Sequence, residues 1–491
     1  MTERLIVISN RIPTDAVPSG GLVVALHEVL CKEGGVWIGA HPEPVETPGE
    51  EFVDVPAAHY QKKAFQLSEK EIRNYYLGYS NSFLWPLCHR RCDLARYRRA
   101  YAEDYLAVNA RVARQVARLA GPDDLIWVHD YHFLPLAKML REQGVSARIG
   151  LFLHIPFPVL ADTAVLPDRD ALRDWFAAYH LVGLQTRADV ARCREFFRAE
   201  PAGKALFDGR VKYRDRSFSV RAFPIGIDVA SFARLATSKD DGDRVNLGPR
   251  EDLIIGVDRL DYSKGLSQRF RAFSMFLDQQ QPGDRRASLL QIAPPSREDL
   301  KAYQDIREEL ARLSGSINGE YGGLDWTPIC YIHRNVPRER LAGLYRSARV
   351  GLVTPLADGM NLVAKEYVAA QAPDDPGVLV LSRMAGAAED MTAALLVNPH
   401  DVEHMARTIK TALTMPLEER KRRHRKLMAT IKHNDISAWR RNYLRALREV
   451  QPASRAYSPP AGSLTGRRAR PERAAPSHAA AGKQPVEKAT R

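Results

Sequence analysis

Short continuous apolar runs alternate with longer amphipathic stretches through most of the chain. Six of these runs are LIVIS (5–9), LIWVH (125–129), IGLFLH (149–154), LIIGV (253–257), VGLVT (350–354) and GVLVLS (377–382). A continuous run, unlike one that alternates with polar residues, is typical of a strand covered by helices on both faces. The pattern therefore predicts an α/β protein built from doubly wound parallel sheets.

The predicted strands fall into two groups. Residues 237–250 (TSKDDGDRVNLGPR) separate them and have no strand or helix pattern, which is typical of a linker. With 491 residues the chain is too long for one hydrophobic core. We expect a Rossmann-like N-terminal domain over residues 1–236 and a second one over 237–450, facing each other across a cleft. The last helix is a candidate for packing against the first domain.

The formal net charge of +13 is unevenly distributed. Residues 452–491 contain eight Lys or Arg and two Glu, so nearly half of the excess charge lies in a segment rich in Ala, Pro and Ser. A segment without periodic apolar residues cannot bury enough surface to fold. We therefore predict a disordered basic tail over residues 451–491, and we do not expect the folded part to bind nucleic acid.

Three features bear on the cellular compartment. No apolar run approaches the roughly 18 residues that a membrane span needs. The opening MTERLIVISNR has an acidic residue inside what would be the basic region of a signal peptide. The five cysteines are scattered, as expected for reduced thiols. Together these features predict a cytoplasmic protein without membrane contact.

Two local patterns could suggest a metal ion. Cys88, His89 and Cys92 are close in sequence, but no second pair with suitable spacing completes the four ligands of a zinc site. Asp241 and Asp243 form a D-x-D in the linker, yet no strand precedes them to fix their geometry. We interpret them as ordinary structural or solvated residues and predict no metal or other cofactor.

Charged or polar side chains follow most of the predicted strands. They are Arg11, Asp130, His154, Arg259, Lys264 and Arg297. Any one of them could be a solvated loop residue or a helix cap. Because α/β proteins bind ligands at the carboxyl ends of their parallel strands, however, we expect these side chains to converge. Four of the six are cations, which indicates an anionic ligand.

A phosphate-binding feature is predicted within VTPLADGMNLVAKEYVAA (353–370), where a strand passes through a glycine-containing turn into a helix beginning near Asn361. The free N–H groups and the positive dipole end of the first helical turn favour a phosphate. Glu366, about one turn further, is suited to accept hydrogen bonds from ribose hydroxyls. Gly20 and Gly21 precede another helix and would let a ligand approach the backbone closely.

Nine segments of the chain carry a resemblance to a known family. They are SNR, SGGL, YYLGYSNSFLWPLCH, WVHDYHFLP, FLHIPFP, RLDYSKG, IAPPSRED, DGMNLVAKE and LSRMAGAAE. In order and approximate spacing they resemble the trehalose-6-phosphate synthases, retaining glycosyltransferases of family 20, over residues 4–445. The resemblance implies a GT-B fold, transfer of glucose from UDP-glucose to glucose 6-phosphate, no cofactor and self-association.

The resemblance also implies roles for individual residues. The catalytic residues would be Arg259, Lys264, Asp130 and His154. The donor would be bound by Gly20, Gly21, His154, Arg259, Lys264, Val336, Asp358, Asn361, Leu362, Val363, Ala364, Lys365 and Glu366. The acceptor would be bound by Arg11, Tyr76, Trp85, Asp130 and Arg297.

The chemistry of glucosyl transfer agrees with two cations near the donor. Breaking the anomeric C–O bond leaves negative charge on a diphosphate, which fixed cations such as Arg259 and Lys264 stabilise. A carboxylate nucleophile would need a second carboxylate about 5 Å away, and the sequence offers no convincing candidate. The family instead implies attack on the face from which the diphosphate departs. Asp130 would then orient the acceptor, although a role as a base stays open.

One segment departs from the family pattern. Relatives usually have W-x-G-W where this chain has WIGA (37–40), so Ala40 replaces an aromatic ring that would lie against the acceptor. The loss could weaken glucose 6-phosphate binding or admit another phosphorylated acceptor. Two alternatives therefore stay open: transfer of glucose to glycerol 3-phosphate, and a non-catalytic protein that binds sugar phosphates and regulates a partner.

Overall fold

The computed structural model describes residues 3–13, 21–237, 251–281 and 283–450. These residues form two β-sheets with helices packed against them. Within the described ranges, no helix is long and apolar enough to cross a membrane. Gly20, the D-x-D of the linker and the basic tail lie outside the described residues.

The N-terminal sheet is mostly parallel. Its described strands are β1 (Leu5–Arg11), β2 (Val36–Ala40), β3 (Val53–Val55), β4 (Gln61–Phe65), β5 (Leu125–His129), β6 (Arg148–Phe152), β7 (Leu181–Leu184), β8 (Gly203–Ala205), β9 (Arg210–Tyr213) and β10 (Arg216–Ala222). Their order across the sheet is β3-β4-β2-β1-β5-β6-β7-β10-β9-β8. Neighbours from β4 to β10 are parallel, whereas the pairs at the two edges are antiparallel.

The C-terminal sheet is parallel between every pair of described neighbours. Its strands are β11 (Glu251–Val257), β12 (Arg286–Ile292), β13 (Ile329–Ile332), β14 (Val350–Val353), β15 (Val378–Ser382) and β16 (Leu395–Val397). The order is β13-β12-β11-β14-β15-β16, so the direction of winding reverses between β11 and β14. Such a reversal opens a crevice at the carboxyl ends of the two strands.

Helices connect the strands in both halves. They are α1 (Gly21–Glu33), α2 (Glu69–Glu71), α3 (Trp85–Cys88), α4 (Arg99–Leu119), α5 (Leu136–Glu142), α6 (Arg169–Ala177), α7 (Arg187–Arg198), α8 (Val229–Thr237), α9 (Leu266–Asp278), α10 (Lys301–Tyr321), α11 (Arg338–Ser347), α12 (Leu362–Ala370), α13 (Val402–Leu413), α14 (Leu417–His433) and α15 (Ile436–Glu449). A π-helix, Ile72–Leu84, joins α2 to α3, so residues 69–88 are helical without interruption.

The central strands are buried along their length, as the continuous apolar runs predict. Every residue of β5, β7, β14 and β15 is buried. One cluster of buried hydrophobic side chains contains members from both sheets, including Trp127 and Leu381. The predicted α/β architecture with two parallel-sheet domains is therefore confirmed.

Helix α15 packs against the N-terminal sheet although it follows the C-terminal one in the chain. Tyr443 stacks on Trp127 of β5 with a centroid distance of 4.5 Å and an interplanar angle of 13°. Glycines in β6 and β7 make room for it, because a Cβ at Gly150 would lie 2.4 Å from the Tyr443 hydroxyl oxygen and one at Gly183 would lie 2.6 Å from its Cε2. The last described helix thus links the two domains.

Candidate active site

The strand-end residues singled out in the sequence lie at the carboxyl edges of the two sheets. In the N-terminal domain, Arg11 is the last residue of β1, Asp130 follows β5 directly and His154 lies two residues after β6. In the C-terminal domain, Arg259 lies two residues after β11, and Lys264 ends a short 3-10 helix. Contacts from Trp85 to Arg259 and Arg297 bring the two edges together at a cleft between the domains.

Trp85, at the start of α3, contacts two cations of the other domain. Its side chain is buried, and the guanidinium carbon Cζ of Arg297 lies 3.9 Å from the ring centroid. Arg259 approaches the same ring with its Cζ at 5.4 Å. His89 stacks against the indole with a centroid distance of 4.0 Å. Cation–π contacts at these distances are attractive, so the indole stabilises both guanidinium groups in the cleft.

Arg297 is held from several directions. Nη1 donates to the Tyr303 hydroxyl at 2.6 Å, Nη2 donates to the Tyr131 hydroxyl at 3.0 Å, and Nη1 lies 3.5 Å from Oδ2 of Asp261. Its φ of 50° is in the left-handed region, which residues with side chains seldom occupy. Burial opposes its charge, but the neighbouring phenols and the Asp261 carboxylate keep the pKa of Arg297 well above its ordinary value. A permanent positive charge is therefore fixed in the cleft.

Tyr76 connects Arg11 to this cationic region. Nη2 of Arg11 donates to the Tyr76 hydroxyl at 3.0 Å, and the His132 ring stacks on the tyrosine with a centroid distance of 5.8 Å. Burial alone would raise the pKa of this tyrosine, but the positive charges of Arg11, Arg297 and Arg259 lower it below its ordinary value. Three cations therefore act on one phenol group, and the local potential is positive.

Asp130 and His154 lie side by side on the N-terminal side of the cleft. Oδ1 of Asp130 accepts a hydrogen bond from the backbone N–H of His154 at 3.2 Å. Desolvation raises the pKa of Asp130 to about 7, although backbone N–H groups and two arginines act in the opposite direction. Desolvation lowers the pKa of His154 to about 3. At neutral pH the imidazole is therefore uncharged, and the carboxyl is close to its titration midpoint.

A carboxylate orients the side chain of Lys264. Its Nζ lies 2.5 Å from Oδ2 of Asp358, which also accepts a hydrogen bond from Nδ2 of Asn361 at 3.1 Å. Burial would raise the pKa of Asp358, but the Lys264 ammonium lowers it below its ordinary value. Gly265 follows with a φ of 65°, and a Cβ there would lie 2.2 Å from the carbonyl oxygen of Thr354. A residue with a side chain would clash at this position, whereas glycine fits. The turn that contains Lys264 can therefore pack closely against the end of β14.

Helix α12 begins at Leu362, directly after its Asn361 cap, as the sequence predicts. The Asn361 side chain accepts one N–H of the first turn. The N–H groups of Leu362 and Val363 belong to the same turn, which lacks intrahelical acceptors. The Lys365 side chain turns elsewhere, since Nζ donates to the Ile225 carbonyl at 2.5 Å, and burial lowers the pKa of this lysine to about 8. If Lys365 contacts a nucleotide-sugar donor, as the sequence predicts, the contact is therefore made by its backbone.

Other residues singled out in the sequence lie on different elements. Glu366 of α12 is partly buried, and desolvation raises its pKa to about 7 against the effect of a nearby arginine. Val336 packs against the core cluster that the two sheets share, and Gly21 is the first residue of α1. Ala40 is the register partner of Arg11 between β2 and β1. An aromatic ring at residue 40, which the family pattern predicts, would therefore stand beside Arg11.

Sequence reasoning missed the residues that hold these side chains in place. Tyr131 and Asp261 lie within the segments WVHDYHFLP and RLDYSKG, so those segments could have indicated them. Tyr303 lies on α10, where nothing in the local sequence indicates that its hydroxyl donates to Asp261 at 2.9 Å. His129 ends β5 as part of an apolar run, yet its Nδ1 lies 3.1 Å from Nε2 of His154. Such partners become neighbours only in the folded chain.

The chain is similar to a known family of proteins over most of its length. The family model described as glycosyltransferase family 20 matches residues 7–449. The trehalose-6-phosphate synthase of Sinorhizobium fredii is 43% identical, with 91% of this chain and 98% of that protein covered.

Two similar solved structures contain ligands. One is a UDP-forming α,α-trehalose-phosphate synthase from Burkholderia xenovorans in complex with glucose-6-phosphate, which is 43% identical with a TM-score of 0.85 over 91% of this chain and 100% of that one. The other, from E. coli, is bound with UDP-2-fluoro glucose and is 40% identical, with a TM-score of 0.86 over 92% of this chain and 100% of that one. These likenesses confirm the predicted GT-B architecture.

Proposed function

The chain belongs to glycosyltransferase family 20, and we propose that it transfers glucose from UDP-glucose to glucose 6-phosphate. The products are α,α-trehalose 6-phosphate and UDP, and the anomeric configuration of the donor glucose is retained. The observation that supports this most strongly is the approach of Arg259 and Arg297 to the same ring of Trp85. Cations concentrated between two facing sheets fit the simultaneous binding of a diphosphate and a sugar phosphate.

On the donor side, departure of the nucleotide leaves negative charge on the diphosphate. Arg259 and Lys264 neutralise this charge as the C–O bond breaks, which lowers the energy of the transition state more than that of the ground state. Lys264 is already oriented by Asp358, so little reorganisation is needed when the donor binds. The Arg259 guanidinium lies over the Trp85 ring, which places its charge in the cleft where an anion would bind. The first-turn N–H groups of α12 bind phosphate oxygens.

On the acceptor side, Arg11, Tyr76 and Arg297 bind the phosphate of glucose 6-phosphate, while Trp85 and Asp130 position its ring. The anomeric hydroxyl of the acceptor attacks the donor carbon on the face from which the diphosphate departs. Its proton passes to the departing phosphate oxygen, so one C–O bond forms as the other breaks. Because the pKa of Asp130 is about 7, its carboxyl can either donate to or accept from a sugar hydroxyl near neutral pH.

Measuring nucleotide release across several donors and acceptors tests this function. Purified protein is given UDP-, ADP- or GDP-glucose with glucose 6-phosphate or glycerol 3-phosphate, each with and without added divalent metal. We expect UDP and trehalose 6-phosphate from the first donor and acceptor. No release with any combination would favour the non-catalytic regulator.

Glycerol 3-phosphate stays the second candidate acceptor because of Ala40. This residue is the register partner of Arg11, and the family pattern predicts an aromatic ring at its position. Release of UDP with glycerol 3-phosphate but not with glucose 6-phosphate would overturn our choice of acceptor.

Self-association and a cytoplasmic location stay predictions. Light scattering coupled to size-exclusion chromatography measures the first, and fractionation of cells that express the protein measures the second. A monomer at all concentrations would show that the expected self-association is wrong.

A further inference from the structure

His129 and His154 form a hydrogen-bonded pair behind the N-terminal side of the cleft. Nδ1 of His129 lies 3.1 Å from Nε2 of His154, and the two rings are inclined by 26° at a centroid distance of 5.3 Å. His129 is fully buried, whereas His154 is partly exposed. The contact therefore links a residue of the cleft to one that no ligand reaches.

An aromatic wall, made of Trp127, Phe152 and Trp439, encloses His129. The three ring centroids lie 4.6, 6.3 and 6.3 Å from the centroid of its imidazole. Nε2 of His129 is buried and has no hydrogen-bond partner among the described residues. Burial, together with the neighbouring His154, lowers the pKa of His129 well below its ordinary value. Both imidazoles are therefore uncharged at neutral pH.

Two proton arrangements are compatible with a pair of neutral imidazoles, since each ring has one N–H and one acceptor nitrogen. If His154 donated to His129, the N–H at Nε2 of His129 would be buried without an acceptor. If His129 donates from Nδ1, its Nε2 is an unprotonated nitrogen, and the N–H of His154 is at Nδ1. Among buried backbone groups, an unsatisfied N–H is rarer than an unsatisfied acceptor. We apply the same preference here, which favours the second arrangement.

We propose that His129 is a positioning residue, which fixes the tautomer and ring orientation of His154 so that the Nδ1–H of His154 donates to a hydroxyl of the transferred sugar. The identity of that sugar rests on the proposed function, whereas the hydrogen-bonded pair does not. The backbone of His154 is fixed as well, because its N–H donates to Asp130 and its carbonyl oxygen lies 2.0 Å from where a Cβ of Gly359 would stand.

An uncharged hydrogen-bond donor suits the position of His154 for an electrostatic reason. The anomeric carbon of the sugar gains positive charge in the transition state, as in other glycosyl transfers through an oxocarbenium-like species. A charged imidazolium at His154 would repel that charge, whereas a neutral N–H still holds a hydroxyl group. The aromatic wall around His129 therefore keeps the pair in the protonation state that the reaction needs.

Two substitutions of His129 separate hydrogen bonding from packing. Asparagine places an amide N–H near the position of Nδ1 but leaves a cavity, whereas phenylalanine fills the ring volume and has no donor. We expect His129→Phe to lower kcat about 10- to 100-fold, the range found when the partner that orients a metal-bound histidine is removed, with the KM for glucose 6-phosphate unchanged. His129→Asn should retain the higher kcat of the two, although it should be the less stable to heat. If the kcat of His129→Phe is higher than that of His129→Asn, His129 acts through packing, and the proposal is overturned.

Nitrogen-15 NMR of histidine-labelled protein tests the tautomer without any assay of sugar transfer. The signals of His154 are assigned by their loss in His154→Gln. At neutral pH we expect a protonated-type shift at Nδ1 and an unprotonated-type shift at Nε2, and this pattern should be lost in His129→Phe. The opposite tautomer would overturn the proposal even in an active enzyme. An inactive wild-type protein with the expected tautomer would instead count against the proposed function alone.

Discussion

Lys264 and Asp358 form an ion pair of 2.5 Å between the segments that follow two neighbouring strands of the C-terminal sheet. Their side chains are 9% and 14% exposed, so the pair is largely removed from water. Under such conditions the loss of one partner leaves an uncompensated charge. Asp358 thus holds the lysine ammonium in one orientation before any anion enters the cleft.

We predict that Lys264→Ala lowers kcat about 10²- to 10³-fold, because a preorganised cation at the leaving group is lost. Steady-state measurement of UDP release checks this. Lys63→Ala is the matched control, since Lys63 pairs with Asp54 at 2.6 Å on the edge of the N-terminal sheet. The control should have wild-type kcat. Equal activity of both variants would contradict the assigned role of Lys264.

Arg297→Lys should raise the KM for glucose 6-phosphate although the charge is kept. Lysine has neither the planar group that stacks on Trp85 nor the geometry to donate to Tyr131 and Tyr303 together. Arg286→Lys is the matched control because Arg286 also lies over an indole, that of Trp326, at 5.5 Å but on the exposed surface. If the two substitutions change the KM equally, Arg297 does not bind the acceptor.

The strands and the start of α12 could be predicted because their signals are local. A run such as LIWVH contains enough apolar residues to indicate burial on both faces, and every residue of β5 is buried. The π-helix Ile72–Leu84 has no such signal, since apolar periodicity alone does not distinguish it from an α-helix.

Contacts inside the cleft could not be predicted from local pattern. Arg297 and Tyr131 are 166 residues apart and meet only when the two sheets face each other. Lys365 illustrates the same limit: its position in the chain suggested the donor site, but the helix turns its side chain towards the Ile225 carbonyl. Sequence order thus indicates which segments converge, whereas side-chain direction depends on packing.

Asp130 should make the protein less stable as pH rises. The ordinary pKa of its carboxyl is 3.8, and in the folded protein the pKa is about 7. Between these values the unfolded chain releases a proton that the folded protein keeps, so unfolding becomes more favourable with increasing pH. Asp130→Asn cannot titrate. The Tm of the wild type should therefore fall relative to that of the variant from pH 3.8 to about 7 and then level off, and parallel curves would contradict this.

Two glycine substitutions should change stability in opposite directions. Gly183→Ala places a Cβ 2.6 Å from the Tyr443 ring and should destabilise the protein by about 1–3 kcal/mol through overpacking. Gly315 lies inside α10, and an added Cβ would meet no atom within 4 Å apart from the neighbouring backbone of its own helix, so Gly315→Ala should stabilise the protein by about 0.5–1 kcal/mol. Thermal unfolding of both variants measures the two shifts. A stabilising Gly183→Ala would show that α15 is not packed tightly on the sheet.

Ala40→Trp should shift acceptor preference towards glucose 6-phosphate. Ala40 is the register partner of Arg11, so a ring at residue 40 would stand next to a side chain that we assign to the acceptor phosphate. An indole there would add apolar surface against a hexose, whereas the shorter glycerol phosphate offers little surface for it to cover. The ratio of kcat/KM for glucose 6-phosphate to that for glycerol 3-phosphate should therefore rise, mainly through a lower KM for the hexose. A ratio that falls or stays constant would mean that residue 40 does not contact the acceptor, and the second candidate would lose the observation that favours it.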